Sequence, residues 1–265
     1  MIIGINGKIG SGKDTIGRII QYLTLPGKRG EYIGFETYDD ATLERNSPFK
    51  IKKFAGKLKT IASLLTGVPV EMFEDQEFKK QYMSEEWNSF LSIDFPEMTG
   101  KEVKDSDSVL VETTYKRMTY REFLQKLGTE AMRDGLHTNV WVNALFADYK
   151  YEIHRTEVPT RAAGFIDQHV YPNWIITDMR FPNEMDAVKE KGGITIRVVR
   201  PKVESVVDKM RPYSDLINHG TPMPKEHPSE TSLDSAEFDY KIVNNGSIED
   251  LVEKVREILI KENII

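Results

Sequence analysis

The sequence predicts an α/β protein with a mainly parallel central sheet. The short apolar run at residues 2–5 is followed by a glycine-rich segment and then by apolar residues at helical spacing. Strand and helix patterns alternate again across residues 174–262. Such alternation is typical of βαβ units, whose strands lie parallel in one sheet.

Length and composition limit the class of protein. A chain of 265 residues suits one large domain with insertions, which we place over residues 1–265. The absence of cysteine excludes disulfides and thiolate metal sites and fits a reducing cytosol. A net charge of −6 argues against broad contact with nucleic acid. With no secretory pattern and no run of the ~20 apolar residues that span a bilayer, we expect a cytoplasmic protein without membrane contact.

The first half of the chain contains two predicted helices and one segment that is harder to interpret. The first helix follows the glycine-rich segment and ends at the turn Leu25-Pro26-Gly27. Residues 54–66 have the spacing of an amphipathic helix, with Leu64 and Leu65 on its apolar face. Residues 70–118 are polar with scattered aromatic residues, and we interpret them as an insertion over one edge of the core.

The second half alternates more regularly. Thr119 and Glu122 form a capping-box pattern that starts a helix, and a further helix is predicted at 139–150. A buried strand ends at Asp178, after which Asn183 is predicted to cap the next helix. Strands at 194–200 and 239–246 flank a Pro- and Ser-rich segment at about 201–236, interpreted as a loop or lid. Ser247 then caps the terminal helix.

The glycine-rich segment has the spacing of a phosphate-binding loop. Gly7-x4-Gly12-Lys13 matches the first seven positions of the pattern G-x-x-x-x-G-K-[ST]. Glycine lets backbone N–H groups converge on an anion, and the following helix directs its positive dipole end there. With a strand before it and a helix after it, the segment predicts a P-loop NTPase fold, a three-layer α/β/α sandwich. The predicted phosphate-binding residues are Gly7, Gly10, Ser11, Gly12, Lys13, Asp14 and Thr15.

Asp14 occupies the position at which most P-loops carry the hydroxyl that binds Mg²⁺. Its carboxylate could bind Mg²⁺, could act as a base, or could only stabilise the helix N-terminus. A carboxylate beside a bound triphosphate is repelled unless a cation intervenes, which favours the metal-linked role. Thr15 could supply the hydroxyl instead.

A second group follows the apolar strand 174–177. Asp178 is expected to face the metal from the carboxyl edge of the sheet, and Arg180 can clamp a phosphate with two hydrogen bonds. A strand-end turn for Asp178 and a solvated surface charge for Arg180 are the structural alternatives. Glu184 follows one helical turn later.

A third group suits a nucleobase and its phosphate. A Gly inside a helical pattern, Gly128, costs ~1 kcal/mol relative to Ala and indicates close approach by a ligand or a neighbour. Amide and hydroxyl groups can bond a base edge, and an indole can stack on its face. Ordinary core packing is the alternative, above all for Trp141. The group is Arg121, Gln125, Gly128, Thr129 and Trp141.

Taken together, these segments resemble the deoxynucleoside monophosphate kinases of bacteriophages, within the P-loop nucleoside-monophosphate kinase group. The matching segments occur in the family's order and leave out roughly residues 70–118. They are GSGKDT, FAGKLKTIASLLTG, LQKLGTEAMR, WVNALFADY, WIITDMRFPNEMDAVKEKGG, IRVVRP and HPSETSLD followed by YKIVNNGSIEDL.

The resemblance implies transfer of the ATP γ-phosphoryl group to a dNMP, with Mg²⁺, in dNTP precursor synthesis. Ser11, Lys13, Asp14 and Thr15 would then hold the donor phosphates and the metal. The third group would bind the dNMP together with Arg180 and Glu184. Asp178, Arg180 and Glu184 would also complete the centre as catalytic residues, with Lys13, Asp14 and Arg121. Asp14, Thr15 and Asp178 are the predicted metal ligands. The resemblance also suggests a homodimer or a monomer.

Other functions remain open at this stage. Another small-molecule P-loop kinase, for example of the phosphomevalonate type, could keep GKDT and Asp178 without a base-binding site. A nucleotide-binding module without transfer activity is a second alternative. A GTPase switch would need N-K-x-D, which is absent, and a motor ATPase usually has adjacent acidic residues where Met179 follows Asp178. Arg200 or Arg211 could close over the site, with solvated loop charges as the alternative.

Overall fold

The structure is a computed structural model that describes residues 1–27, 34–87, 89–94, 112–158, 164–201 and 231–265. Arg211 and the matching residues His227, Ser229 and Glu230 lie outside these ranges, as does most of the predicted lid. The chain divides into two compact units. The first consists of Met1–Ala55 with Trp141–Ile265, and the second is Gly56–Val140.

The first unit contains a sheet of five parallel strands, which agrees with the parallel sheet that the sequence predicts. The strands follow the order β2-β7-β1-β8-β9. Strand bounds are β1 Ile2–Gly7, β2 Phe49–Lys52, β3 Ser89–Asp94, β4 Glu112–Lys116, β5 Glu152–Val158, β6 Gly164–Val170, β7 Asn173–Ile176, β8 Ile194–Val199 and β9 Tyr240–Val243. β3 with β4 and β5 with β6 form two separate antiparallel pairs.

Helices connect the parallel strands, because a parallel pair needs a crossover rather than a tight turn. Their bounds are α1 Lys13–Leu23, α2 Asp40–Asn46, α3 Ala55–Thr66, α4 Tyr120–Gln125, α5 Val140–Phe146, α6 Pro182–Glu190 and α7 Ile248–Lys261. A π-helical segment, Lys126–Asp134, continues α4. No helix within the described ranges is long and apolar enough to cross a membrane.

The two faces of the central strand β1 are covered by different helices. Ile3 and Ile5 are fully buried in a core that includes residues of α1 and α7. Gly4 faces the other way, where a Cβ atom would lie 3.3 Å from Val188 of α6. Burial on both faces explains why β1 reads as a continuous apolar run.

Three helix predictions differ from the structure. Leu64 and Leu65 are 81% and 52% exposed, whereas Ala62 is the buried apolar residue of α3, so the prediction that these two leucines lie on the apolar face is wrong. Asn183 does not cap α6, because the helix already begins at Pro182, whose fixed φ suits a first helical position. The predicted helix at 139–150 is shorter and ends at Phe146.

The predicted caps at Thr119 and Ser247 are confirmed. Thr119 accepts the Glu122 N–H and Glu122 accepts the Thr119 N–H, which is a reciprocal capping box. Ser247 and Asp250 form the same arrangement at the start of α7.

Candidate active site

The glycine-rich segment forms the turn between β1 and α1. Gly10 and Gly12 adopt positive φ values of 76° and 96°, a region that L-residues with a Cβ atom avoid. The Ser11 N–H donates to the Lys8 carbonyl at 3.1 Å, which closes the turn. Lys13 and Asp14 therefore occupy the first turn of α1, where the helix dipole favours an anion.

A side chain from the far edge of the sheet supports this turn. Asn244, directly after β9, donates from Nδ2 to the Ser11 carbonyl at 2.9 Å. A Cβ atom on Gly12 would lie 2.5 Å from that nitrogen, so a side chain at position 12 would displace the Asn244 amide as well as strain the backbone. Ser11 is 2% exposed, and its hydroxyl has no hydrogen-bond partner within the part of the chain that the structure describes. A buried hydroxyl without a partner fits a site that an anion completes.

Asp14 is held from the neighbouring strands. Its Oδ1 accepts a 2.8 Å hydrogen bond from the hydroxyl of Thr177, which is fully buried directly after β7. Lys53 Nζ, directly after β2, lies 3.7 Å from the same oxygen. The Asp14 side chain is 63% exposed, so the carboxylate is fixed at one oxygen and faces solvent elsewhere.

The carboxylate of Asp178 accepts hydrogen bonds from backbone N–H groups. Its two carboxylate oxygens accept the N–H groups of Phe54 and Ala55 at 2.8 and 2.9 Å, and the residue is 9% exposed. These are N–H groups at the start of α3 that no helical carbonyl can satisfy. Asp178 thus fixes the start of α3 to the end of β7, a structural contact that the sequence did not predict.

Glu184 has a comparable role at the next helix. Its Oε2 accepts the N–H groups of Arg180 and Phe181 at 2.6 and 3.0 Å, and the residue is 3% exposed. The carboxylate therefore caps α6 from its third position. The loop 177–181 is thus bound to Asp14 through Thr177, to the N–H groups of Phe54 and Ala55 through Asp178, and to α6 through Glu184. The Arg180 side chain is half-buried.

The residues predicted to bind the dNMP are divided between the two units. Arg121, Gln125, Gly128 and Thr129 lie on α4 and the π-helical segment of the second unit. Trp141 belongs to the first unit. Its 7% exposure agrees with the core-packing alternative.

Within the second unit, two of these residues contact neighbouring side chains that give them a structural role. Arg121 donates to the Gln76 side chain at 2.9 Å. A Cβ atom on Gly128 would lie 2.8 Å from Cδ2 of Leu58, so the neighbour whose approach this glycine permits is α3. Gln125 and Thr129 are half-buried. π-Helical turns are frequent at functional sites, which keeps this segment a candidate for substrate contact.

The fit of Mg²⁺ to these residues can be judged from their partners. Magnesium–nucleotide sites commonly use one or two carboxylates together with substrate phosphates and water. Asp14 fits this role because its carboxylate is largely open, whereas both oxygens of Asp178 already accept hydrogen bonds. Among the described residues, no three His, Cys, Asp or Glu side chains are grouped as metal ligands.

Comparison with known proteins gives two relatives. “Putative deoxynucleotide monophosphate kinase” of Acanthamoeba polyphaga mimivirus is 28% identical over 145 residues, which cover 52% of this chain and 59% of the relative. “Deoxynucleotide monophosphate kinase” of Enterobacteria phage T4 is 27% identical over 139 residues, which cover 52% of this chain and 44% of the relative. The chain is a homologue of these viral proteins. It matches about half the length of each, and no family model matches it.

The predicted resemblance to viral deoxynucleotide monophosphate kinases is thereby confirmed, as is the α/β fold with a parallel sheet. Sequence reasoning missed Lys53 and Thr177, which contact Asp14, and Asn244, which supports the glycine-rich turn. One sequence feature could have indicated Thr177: it lies between a buried strand and the candidate residue Asp178. Lys53 gave no signal, because β2 was not predicted.

Proposed function

We propose that this chain is a deoxynucleoside monophosphate kinase that transfers the γ-phosphoryl group of ATP to a dNMP, giving dNDP and ADP for dNTP synthesis. The observation that carries the proposal is the phosphate loop at the carboxyl end of β1, with its positive-φ glycines and buried Ser11 hydroxyl. The choice of a dNMP as acceptor rests on the printed names of the two viral relatives.

The donor half of the site is assigned to the turn and the first residues of α1. Backbone N–H groups of this turn other than that of Ser11 would surround the ATP phosphates, and Lys13 would place its charge on the β- and γ-phosphates. Asp14 would hold the metal, with Thr15 and Asp178 as further candidate ligands. Bound Mg²⁺ would supply charge neutralisation on the β- and γ-phosphate oxygens.

The acceptor half is assigned to side chains that can neutralise and orient a nucleotide monophosphate. Arg180 is the candidate phosphate contact in the first unit, where the burial of Trp141 favours core packing over a base contact. Arg121, Gln125 and Thr129 are the candidate nucleotide contacts of the second unit. Because the attacking group is itself a phosphate anion, positioning and charge neutralisation matter more than a strong base. Glu184 would act here by fixing the backbone of Arg180 rather than by touching the nucleotide.

The test is a coupled assay of ADP release with ATP, Mg²⁺ and each of dAMP, dGMP, dCMP and dTMP, with the ribonucleotides in parallel. Lys13→Ala removes the phosphate-loop cation, and Lys150→Ala is the matched control at an exposed lysine. We expect turnover with one or more dNMPs that Lys13→Ala abolishes and Lys150→Ala leaves unchanged. ATP binding without turnover on any dNMP would refute the proposal.

A further inference from the structure

Asn6 and Arg197 face each other on neighbouring strands near the candidate site. They are register partners in the parallel pair of β1 and β8. Asn6 is 6% exposed and donates from Nδ2 to the Met179 carbonyl at 2.7 Å. Its Oδ1 accepts a hydrogen bond from Nη1 of Arg197. The amide thus has one defined orientation, with its oxygen toward the guanidinium and its nitrogen toward the loop 177–181.

The second terminal nitrogen of Arg197 points to another partner. Nη2 donates to Oδ1 of Asp234 at 2.5 Å, and the other oxygen of Asp234 lies 3.6 Å from Lys8 Nζ in the phosphate loop. The Arg197 side chain is 16% exposed. A guanidinium can make both contacts at once because its donors are fixed in a planar fork, which a lysine ammonium lacks.

The Met179 carbonyl lies at the middle of the loop 177–181. A peptide group is planar, so fixing this carbonyl also fixes the N–H of Arg180 on the other side of the bond. That N–H is bound by Glu184, and Asp178 on the preceding side is bound to the start of α3. Asn6 therefore supplies the contact that holds the centre of the loop to the sheet.

We propose that Arg197 is a positioning residue for phosphoryl transfer, acting through Asn6 to fix the Met179 carbonyl and with it Asp178 and Arg180. The expected effect on kinetics rests on the proposed kinase function. The expected effect on the order of the loop 177–181 is independent of that function. Loss of the guanidinium removes one of the two hydrogen bonds that orient the Asn6 amide, and small displacements of positioned groups cost large factors in rate.

Two variants test the proposal by different routes. Arg197→Met removes both donors. Asn6→Asp keeps an acceptor for Arg197 but cannot donate to Met179, so it breaks only the second link. Arg155→Met is the matched control, since Arg155 also contacts a carboxylate, that of Asp167, at 2.9 Å on the β5–β6 pair.

We expect both test variants to lower kcat/KM for the dNMP by about tenfold, with the Kd of ATP changed by less than about threefold. The control should match the wild type in both. A general loss of structure would weaken both substrates equally, so the difference between acceptor and donor identifies a positioning role. Unchanged kinetics in both variants would overturn the proposal.

Hydrogen exchange provides a readout that needs no turnover. Backbone amides of peptides covering 177–184 should exchange faster in Arg197→Met and Asn6→Asp than in Arg155→Met or the wild type. If no dNMP is phosphorylated by the wild type, the kinase function fails, and this exchange pattern alone decides the positioning role. If Arg197→Met does not fold, Arg197→Lys replaces it, because one ammonium is too compact to reproduce both fork contacts.

Discussion

The Thr177 hydroxyl donates a 2.8 Å hydrogen bond to Oδ1 of Asp14, which joins the end of β7 to the first turn of α1. The two residues are 163 positions apart in sequence. Because Thr177 is fully buried, its hydroxyl has a fixed direction, and it leaves the second oxygen of Asp14 open to the solvent side. We infer that this bond fixes the orientation of the Asp14 carboxylate at the proposed ATP site.

Thr177→Val tests that inference with a change of nearly equal shape. We expect kcat to fall about tenfold, because a misdirected Asp14 would hold the metal poorly. The free energy of unfolding should change by less than about 1 kcal/mol, since the exposed Asp14 carboxylate can be hydrated instead. Steady-state kinetics and urea unfolding measure the two quantities.

Thr195→Val is the matched control for this experiment. Thr195 is also fully buried and donates to an aspartate, Asp239, at 2.7 Å, but it lies on β8 near the amino end of that strand. We expect its loss to affect stability and to leave kcat unchanged. Equal kcat values for the two variants would contradict the role given to Thr177.

Lys53→Met tests the charge beside Asp14. The Lys53 ammonium offsets the Asp14 carboxylate at 3.7 Å, so its loss should weaken ATP binding about threefold at low salt. Raising the ionic strength should reduce the difference, because both side chains are partly exposed. Titration with a non-hydrolysable ATP analogue at two salt concentrations measures it. Tighter binding by Lys53→Met would show that Lys53 does not assist the phosphates.

Substitutions at Glu184 separate a helix cap from a charge that binds substrate. Glu184→Ala should destabilise the fold by about 1–2 kcal/mol, because the N–H groups of Arg180 and Phe181 lose their acceptor. Glu184→Gln keeps an acceptor and should retain both stability and most activity. Thermal unfolding and dNMP kinetics give the comparison. A stable Glu184→Gln protein without activity would assign the charge a direct catalytic role.

Gly128→Ala tests whether the glycine serves packing. The new methyl group would lie 2.8 Å from Leu58 Cδ2, so we expect a destabilisation of about 1–3 kcal/mol. Combining it with Leu58→Ala should remove part of that penalty, which a double-mutant cycle measures. Additive effects would indicate that the glycine is required for something other than contact with Leu58.

The Tyr240 hydroxyl gives a pH-dependent prediction. It donates to the Glu262 carboxylate, and this bond, together with burial, raises the pKa of Tyr240 to about 12. The raised pKa means that the contact stabilises the fold below about pH 10 and is lost as the pH rises toward 12. Ultraviolet titration of the wild type and Tyr240→Phe should differ by one late-ionising phenol. Ionisation of that phenol near pH 10 would contradict this.

Elements with a strong local signal were predictable from the sequence. β1 follows from an apolar run and α7 from a capped amphipathic pattern, and each of these signals is contained in one short stretch of sequence. The β5–β6 pair was not predicted, because exposed residues such as Glu152, Arg155 and His169 leave no apolar alternation. β2 is only four residues long, too short for a clear period.

In the candidate site, too, features with a local sequence pattern were predictable, whereas contacts between distant residues were not. The glycine-rich segment is contiguous, so its pattern alone selects Gly12 and Lys13 as candidates, and the structure places them at the start of α1. The bond between Asn6 and Arg197 joins residues 191 positions apart, and no local pattern records it. The sequence could select Asp178 as a carboxylate of interest, but not that the first N–H groups of α3 would occupy its oxygens.

Transfer of label is the most direct test of the central claim. ATP radiolabelled in its γ-phosphate is incubated with the protein, Mg²⁺ and each dNMP, and the nucleotides are then separated. The account predicts label in a dNDP with the wild type and none with Lys13→Ala. Label released only as inorganic phosphate, or retained in ATP with every dNMP, would contradict it.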